Sequence, residues 1–124
     1  MEQLDYSLVS SETKLFMTDV CTLLDDILQP CDLGAIRGLM VSYEFYKQAT
    51  DKLLEDGIFL TDKKGRTTVN PANAVAKSYQ TQVMNFMREY GLTLRSRQAI
   101  KAMNADVDED NPLAQYLKNE DAAV

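Results

Sequence analysis

The stretch from Asp56 to Ile100 constrains the fold most strongly, because it carries several helix-boundary signals in succession. Gly57 follows a long amphipathic pattern, and glycine is the residue that most often ends a helix. Asn70-Pro71 then starts a helix, with an asparagine cap and a proline at the first helical position. Gly91 ends that helix, and Thr93 caps another. This order predicts helices joined by short, sharply defined turns.

Two further helices are predicted before this stretch. Ser10 or Ser11 caps the first, and its apolar spacing continues to Gln29-Pro30, where the residue before proline disfavours the helical conformation. Asp32 is the expected cap of the second helix, which runs to Asp56. At 1.5 Å per residue the second helix measures roughly 36 Å, which is long for so short a chain.

The segment between the two long helices has the composition of a β-hairpin. Two β-prone runs, Ile58–Leu60 and Thr67–Val69, flank a turn-forming sequence with Gly65 late in the loop. The hairpin is therefore predicted at about residues 58–70. Because an isolated hairpin is marginally stable in water, it should pack against the helices or a neighbouring subunit.

These elements define the expected fold class and domain organisation. The chain of 124 residues should be mainly α: a helical bundle with two long antiparallel helices and a short β-hairpin. Residues 1–103 are expected to form a single domain. Residues 104–124 are acidic, offer little apolar surface, and are predicted to be a flexible tail.

Charge is strongly segregated along the chain. The net charge is −8 over residues 1–62, +7 over residues 63–103 and −5 over residues 104–124, and the total is −6. A basic segment can bind phosphate whatever the global charge. The alternative is that these bases pair with acids of the first half of the chain.

The composition argues against catalysis, metal binding and membrane insertion. The sequence has no histidine, and its two cysteines, Cys21 and Cys31, do not form a CxxC pair. A nucleophile with an adjacent base, a zinc site and a bound cofactor are therefore not expected. No phosphate-binding GxxxxGK[ST] loop is present, no apolar run approaches the roughly 20 residues of a membrane span, and the N-terminus does not resemble a secretory signal.

The basic residues form two candidate clusters for DNA phosphates, one on the hairpin loop and one on the last helix. Arginines near a helix N-terminus have exposed backbone N–H groups beside them, which also favour phosphate. An alternative is that Arg97 pairs with an acid of the second helix. The candidate DNA-binding residues are Lys63, Lys64, Arg66, Arg95, Arg97 and Lys101.

Tyrosines recur on the apolar stripes of the two long helices, and tyrosine is enriched at subunit interfaces. The alternative is core packing with the hydroxyl groups at the rim. The candidate oligomer-interface residues are Tyr43, Tyr46, Leu53, Val75, Tyr79, Val83 and Phe86.

The order of these motifs resembles the small subunits of tailed-bacteriophage terminases. In that family a tyrosine-bearing helix ends in glycine, and a Gly-containing hairpin, an NP-started helix and a glycine-leucine-threonine turn with a Ser-Arg pair follow. Here the corresponding residues are Tyr43, Tyr46, Gly57, Gly65, Asn70-Pro71, Gly91-Leu92-Thr93 and Ser96-Arg97. The resemblance covers about residues 40–117.

The resemblance implies a non-catalytic, ring-forming homo-oligomer in the cytoplasm of the bacterial host. It implies recognition of double-stranded viral DNA and recruitment of the large terminase subunit, with no membrane partner. The acidic tail would contact the large subunit through Leu113, Tyr116 and Leu117. The competing hypothesis is a helical protein-interaction module, of phage or bacterial origin, that does not bind DNA.

Overall fold

The computed structural model describes residues 4–109, with side chains described as far as residue 103. The helices are α1 (Ser11–Leu24), α2 (Leu33–Asp56), α3 (Pro71–Glu89) and α4 (Leu94–Glu109), and the strands are β1 (Phe59–Thr61) and β2 (Thr67–Val69). The predicted mainly helical fold with a hairpin is confirmed. The described residues form two compact units, the first ending at Phe86 and the second beginning at Met87. No described helix is long and apolar enough to cross a membrane.

The first helix begins as predicted but ends early. Ser10 is its N-cap, and the Ser10 hydroxyl accepts the N–H of Thr13 at 3.4 Å. The helix ends at Leu24, whereas the sequence predicts that it continues to Gln29-Pro30. Two aspartates, at positions 25 and 26, follow Leu24 directly, and negative charge is unfavourable at the C-terminal end of a helix dipole.

Asp32 has a different role from the predicted one. It is the N-cap residue of α2, but its side chain makes no capping hydrogen bond to that helix. Instead, one of its carboxylate oxygens accepts the N–H of Gln29 at 2.9 Å. This bond closes a single 3-10 turn, Pro30–Asp32, that joins α1 to α2. The prediction that the Asp32 side chain caps α2 is therefore wrong. Pro30 starts a separate 3-10 turn, and the Asp32 carboxylate bonds within that turn instead.

α2 and α3 are antiparallel, as predicted. Residues of increasing number along α2 contact residues of decreasing number along α3, as expected for an antiparallel helix pair. The contacting pairs are Gly38 with Phe86, Ser42 with Gln82 through a 3.1 Å hydrogen bond, and Phe45 with Tyr79 at 5.4 Å between ring centroids. The small Gly38 allows this close approach, since a Cβ there would lie 3.0 Å from the Phe86 ring.

The core of the first unit lies mainly between α1 and α2. Met17, Ile36 and Leu39 are fully buried. Phe16 of α1 stacks on Tyr43 of α2 with ring centroids 4.0 Å apart. Cys21 is buried in the same core, whereas Cys31 is exposed, and both thiols are free. α3 contributes fewer buried side chains, chiefly Ala76 and Val83.

Glu44 is a buried carboxylate that fastens α1 to α2. It accepts hydrogen bonds from the Ser10 hydroxyl at 2.9 Å, from the Thr13 hydroxyl, and from the Gln48 side-chain amide at 3.2 Å. Burial alone would raise the pKa of Glu44, but the bonds from Thr13, Gln48 and Ser10 stabilise the carboxylate and hold its pKa below the ordinary value of 4.5. The charge is therefore stabilised by neutral donors.

The last helix ends beyond residue 103, the predicted end of the helical domain. α4 continues to Glu109 and so passes the expected start of the tail at residue 104. The predicted partner-binding residues Leu113, Tyr116 and Leu117 lie outside the described residues, as does most of the predicted tail.

Candidate nucleic-acid interface

Asn70 fixes the base of the hairpin that carries the first basic cluster. Its side-chain N–H₂ donates to the carbonyl of Gly57 at 2.9 Å, and its backbone N–H donates to the carbonyl of Ile58 at 2.7 Å. Its side-chain oxygen accepts the N–H of Ala72 at 3.0 Å, as expected of a helix cap. One buried side chain therefore ties the end of α2 to the start of α3.

The loop of the hairpin has a defined turn geometry. Asp62 and Arg66 close it, with the Asp62 N–H donating to the Arg66 carbonyl at 2.9 Å. The Gly65 N–H donates to the Asp62 carbonyl at 3.1 Å, and Gly65 has φ +79°, in the left-handed region that glycine tolerates best. This is a three-residue hairpin loop, a turn followed by a glycine bulge.

The three bases of this loop are exposed but differ in their pairing. The Arg66 Nε lies 3.1 Å from a carboxylate oxygen of Asp62, so Arg66 is in an ion pair within the loop. Neither Lys63 nor Lys64 forms an ion pair with any described residue. The tip of the hairpin therefore presents two ammonium groups that are available to an anionic partner.

One face of the hairpin is apolar and exposed. Phe59 and Val69 are partners across the two strands, so their side chains share a face, and they are 65% and 55% exposed. Ile58, next to the first strand, is also exposed. A hairpin this short is marginally stable unless it packs against other elements. Contact with a neighbouring subunit stays a prediction.

The turn before the last helix orients the second basic cluster. Gly91 has φ +67°, and its N–H donates to the Arg88 carbonyl at 3.1 Å. The N–H of Leu92 donates to the Met87 carbonyl at 2.7 Å. This pair of bonds is a Schellman motif, and it ends α3 as the glycine predicts.

Thr93 caps α4, as predicted, and Ser96 completes the cap. The Ser96 N–H donates to the Thr93 hydroxyl at 3.1 Å, while the Thr93 N–H donates to the Ser96 hydroxyl at 3.1 Å. This reciprocal arrangement resembles a capping box, with serine in the position that Glu or Gln usually takes. The start of α4 is therefore fixed directly beside the arginines.

The three bases of the second cluster lie along α4 and are exposed. Arg97 and Lys101 are four residues apart, which places them on one helical face, whereas Arg95 is rotated away by roughly 200° from Arg97. Among the described residues of the second unit, no ion pair involves any of the three. The pairing of Arg97 with an acid of the second helix stays an untested alternative. Each basic cluster lies in its own unit.

Most of the predicted oligomer-interface residues have partners inside the first unit. Tyr43 stacks on Phe16, Tyr79 meets the edge of Phe45, and Phe86 lies against Gly38. Val83 is buried, and Tyr46 and Leu53 are partly buried. Of this set, only Val75 is exposed, at 45%. The role of these residues in assembly stays a prediction.

Phe45 and Val41 are exposed apolar residues that the sequence analysis did not select. They lie one turn apart on α2 and are 41% and 39% exposed. Grooves lie on both sides of Phe45, one toward Leu8 of the N-terminal segment and one toward Val75 of α3. Their four-residue spacing places Val41 and Phe45 on one face of α2. That face lies beside the main apolar stripe, so the sequence pattern alone does not single them out.

Comparison with known proteins identifies the family of this chain. The family described as "Phage terminase, small subunit" matches residues 19–107. The match includes α2, the hairpin, α3 and both basic clusters. No curated protein and no solved structure matches the chain. Because the family match covers most of the chain, the protein belongs to the phage terminase small-subunit family and has a role in phage genome packaging.

Proposed function

We propose that this protein is a non-catalytic adaptor that recognises double-stranded viral DNA and recruits the large terminase subunit in the cytoplasm of the bacterial host. Family membership supports the packaging role. The observation that carries the DNA-binding role is the hairpin tip. Lys63 and Lys64 lie there on a loop of defined geometry and have no ion-pair partner among the described residues.

The proposed phosphate contacts come from both basic clusters. Each contact displaces condensed counterions from DNA, so binding should weaken as salt rises. The two clusters need not act with equal strength, because Arg66 is already paired with Asp62 and Arg95 lies on a different face of α4 from Arg97. Five candidates have no ion-pair partner among the described residues of their own units and are the proposed phosphate contacts: Lys63, Lys64, Arg95, Arg97 and Lys101. Arg66, the remaining candidate, is paired with Asp62.

Homo-oligomerisation is the second part of the proposal. Val41, Phe45 and Val75 are exposed apolar side chains beside the grooves of the first unit, and burying such surface against another copy would be favourable. An oligomer would also multiply a weak contact between each subunit and DNA through avidity.

Recruitment of the large subunit is assigned to the acidic C-terminal segment. Leu113, Tyr116 and Leu117 are its compact apolar set, and they follow Asn111-Pro112. Deleting residues 110–124, which leaves α4 whole, should abolish stimulation of the large subunit while DNA binding and oligomer mass are retained. A fall in the melting temperature of the isolated protein would instead show that this segment belongs to the fold.

Charge reversal of the hairpin tip tests the DNA contact. Lys63→Glu with Lys64→Glu should weaken binding to double-stranded DNA and flatten its salt dependence by about two units of slope, roughly one per lost phosphate contact. Fluorescence anisotropy at several salt concentrations measures both quantities.

The matched control is Lys14→Glu with Lys52→Glu, which makes the same charge change on exposed lysines of α1 and α2. This control should leave the salt dependence of DNA binding at its wild-type slope. If the hairpin variant has the wild-type slope, the hairpin is not a DNA contact. A chain that shows no salt-dependent DNA binding under any condition would support the protein-interaction module instead.

A further inference from the structure

Asp62 organises the hairpin loop through three hydrogen bonds to its exposed carboxylate. Its Oδ1 accepts the backbone N–H groups of Lys64 and Arg66, each at 2.8 Å. Its Oδ2 accepts the Arg66 Nε–H at 3.1 Å. The carboxylate therefore spans the loop from its tip to its end, and the backbone of Lys64 is held by a side chain rather than by a strand.

The same carboxylate sets the charge that the loop presents. Arg66 is paired with Asp62, and the two charges cancel locally. An exposed ion pair of this kind is weak on its own. Here, however, the carboxylate is held in place by two backbone N–H groups, those of Lys64 and Arg66, whose bonds do not depend on the Arg66 side chain. The guanidinium therefore pairs with a fixed anion in the loop, whereas the ammonium groups of Lys63 and Lys64 form no ion pair among the described residues.

We propose that Asp62 is the positioning residue of the hairpin's DNA contact. Its carboxylate fixes the turn that carries Lys63 and Lys64, and it neutralises Arg66 so that Arg66 makes no phosphate contact in the wild-type chain. This inference rests on the proposed DNA-binding function and refines it. Two backbone N–H groups and the Arg66 guanidinium donate to the Asp62 carboxylate. These donors favour a negative charge at this position of the loop.

Two substitutions separate the roles of Asp62. Asp62→Asn keeps an oxygen that can accept the backbone N–H groups of Lys64 and Arg66, but it removes the charge that holds the guanidinium. Asp62→Ala makes the same charge change and removes the acceptor as well. Asp62→Asn should therefore bind double-stranded DNA more tightly than Asp62→Ala at equal salt, because only the former keeps the turn.

The charge role is tested by the salt dependence of binding. Asp62→Asn releases Arg66, so the slope of log affinity against log salt should steepen by about 0.9 for B-form DNA. Arg66→Gln alone should leave the wild-type slope unchanged. The double variant Asp62→Asn with Arg66→Gln should return to the wild-type slope, which assigns the change to the guanidinium rather than to the lost carboxylate.

Asp51→Asn is the matched control, because Asp51 forms an exposed pair with Lys47 at the same four-residue spacing, on α2. It should not steepen the slope. Equal slopes for the wild type and Asp62→Asn, with DNA binding intact, would overturn the inference while leaving the proposed function standing. Equal affinities of Asp62→Asn and Asp62→Ala would likewise overturn the positioning role. Absence of DNA binding by the wild-type chain would overturn the proposed function, and this inference with it.

Discussion

At the scale of single residues, Glu44 shows how one charged side chain can join two helices. Its carboxylate is buried, and the hydroxyl groups of Ser10 and Thr13 donate to it from the start of α1. Glu44→Ala would leave these donors without their acceptor, so we expect a loss of about 2–3 kcal/mol in the free energy of unfolding. Urea denaturation followed by circular dichroism measures the loss. A change within experimental error would show that the cluster is not a structural link.

The pH dependence of stability gives a second test of Glu44. Because its pKa is lowered in the folded state, its contribution is fully present above the ordinary value of 4.5 and is lost as pH falls through the lowered pKa. The melting temperature of the wild type should therefore exceed that of Glu44→Gln at about pH 7, and the gap should narrow toward about pH 3. A gap that is constant or widens on acidification would contradict the assignment.

Two glycines of α2 differ in whether a larger side chain has room, so substituting each by alanine separates the effect of helix propensity from that of packing. A Cβ at Gly34 would meet no atom within 4 Å, whereas a Cβ at Gly38 would lie 3.0 Å from the Phe86 ring. Gly34→Ala should stabilise the protein by roughly 0.5–1 kcal/mol through reduced backbone entropy. Gly38→Ala should lose that gain, since crowding against Phe86 costs about 1 kcal/mol or more. Thermal melts of the two variants that shift upward equally would show that α2 and α3 do not approach closely at Gly38.

At the scale of secondary-structure elements, Asn70 connects the hairpin to α3. Asn70→Asp keeps an oxygen for the Ala72 N–H but loses the donor to the Gly57 carbonyl, so we expect a cost of about 1 kcal/mol. Asn70→Ala loses both bonds and should cost about 2–3 kcal/mol. Equal stabilities of the two variants in chemical denaturation would show that the bond to Gly57 contributes nothing.

The element boundaries that could be predicted are those set by local chemistry. Asn70-Pro71, Gly91 and Thr93 act through bonds to neighbours only a few residues away, and the structure places all of them as predicted. Two features differ from the prediction: α1 ends at Leu24, and the Gln29 N–H donates to Asp32. The apolar spacing continues past Leu24, and Asp32 can cap either the 3-10 turn or α2, so the sequence does not decide between these arrangements.

Side-chain partners between helices were the least predictable part of the fold. The tyrosine stripes were recognised, but the sequence could not show that Tyr43 meets Phe16 or that Tyr79 meets Phe45. These pairs depend on how α1 and α3 align along α2. The exposure of Phe45 depends on the same alignment. The ion pair of Arg66, a DNA-binding candidate, with Asp62 depends on the turn of the hairpin loop, and only the structure shows it.

At the scale of the whole molecule, the distribution of charge fits an adaptor between two kinds of partner. The basic residues proposed to contact DNA are confined to the middle of the sequence, and acidic segments precede and follow them. Such a chain can attract phosphate locally while its net charge of −6 keeps nonspecific association with nucleic acid low. The proposed binding segment for the large subunit, residues 110–124, follows these bases in the sequence and is acidic.

Native mass spectrometry of the full chain, with and without double-stranded DNA, separates a DNA-binding homo-oligomer from a protein-interaction module that does not bind DNA. We expect a single higher homo-oligomer that retains DNA at low salt and releases it as salt rises, because phosphate contacts dominate binding. A monomer at high micromolar concentration whose mass does not change when DNA is added would contradict the proposed function.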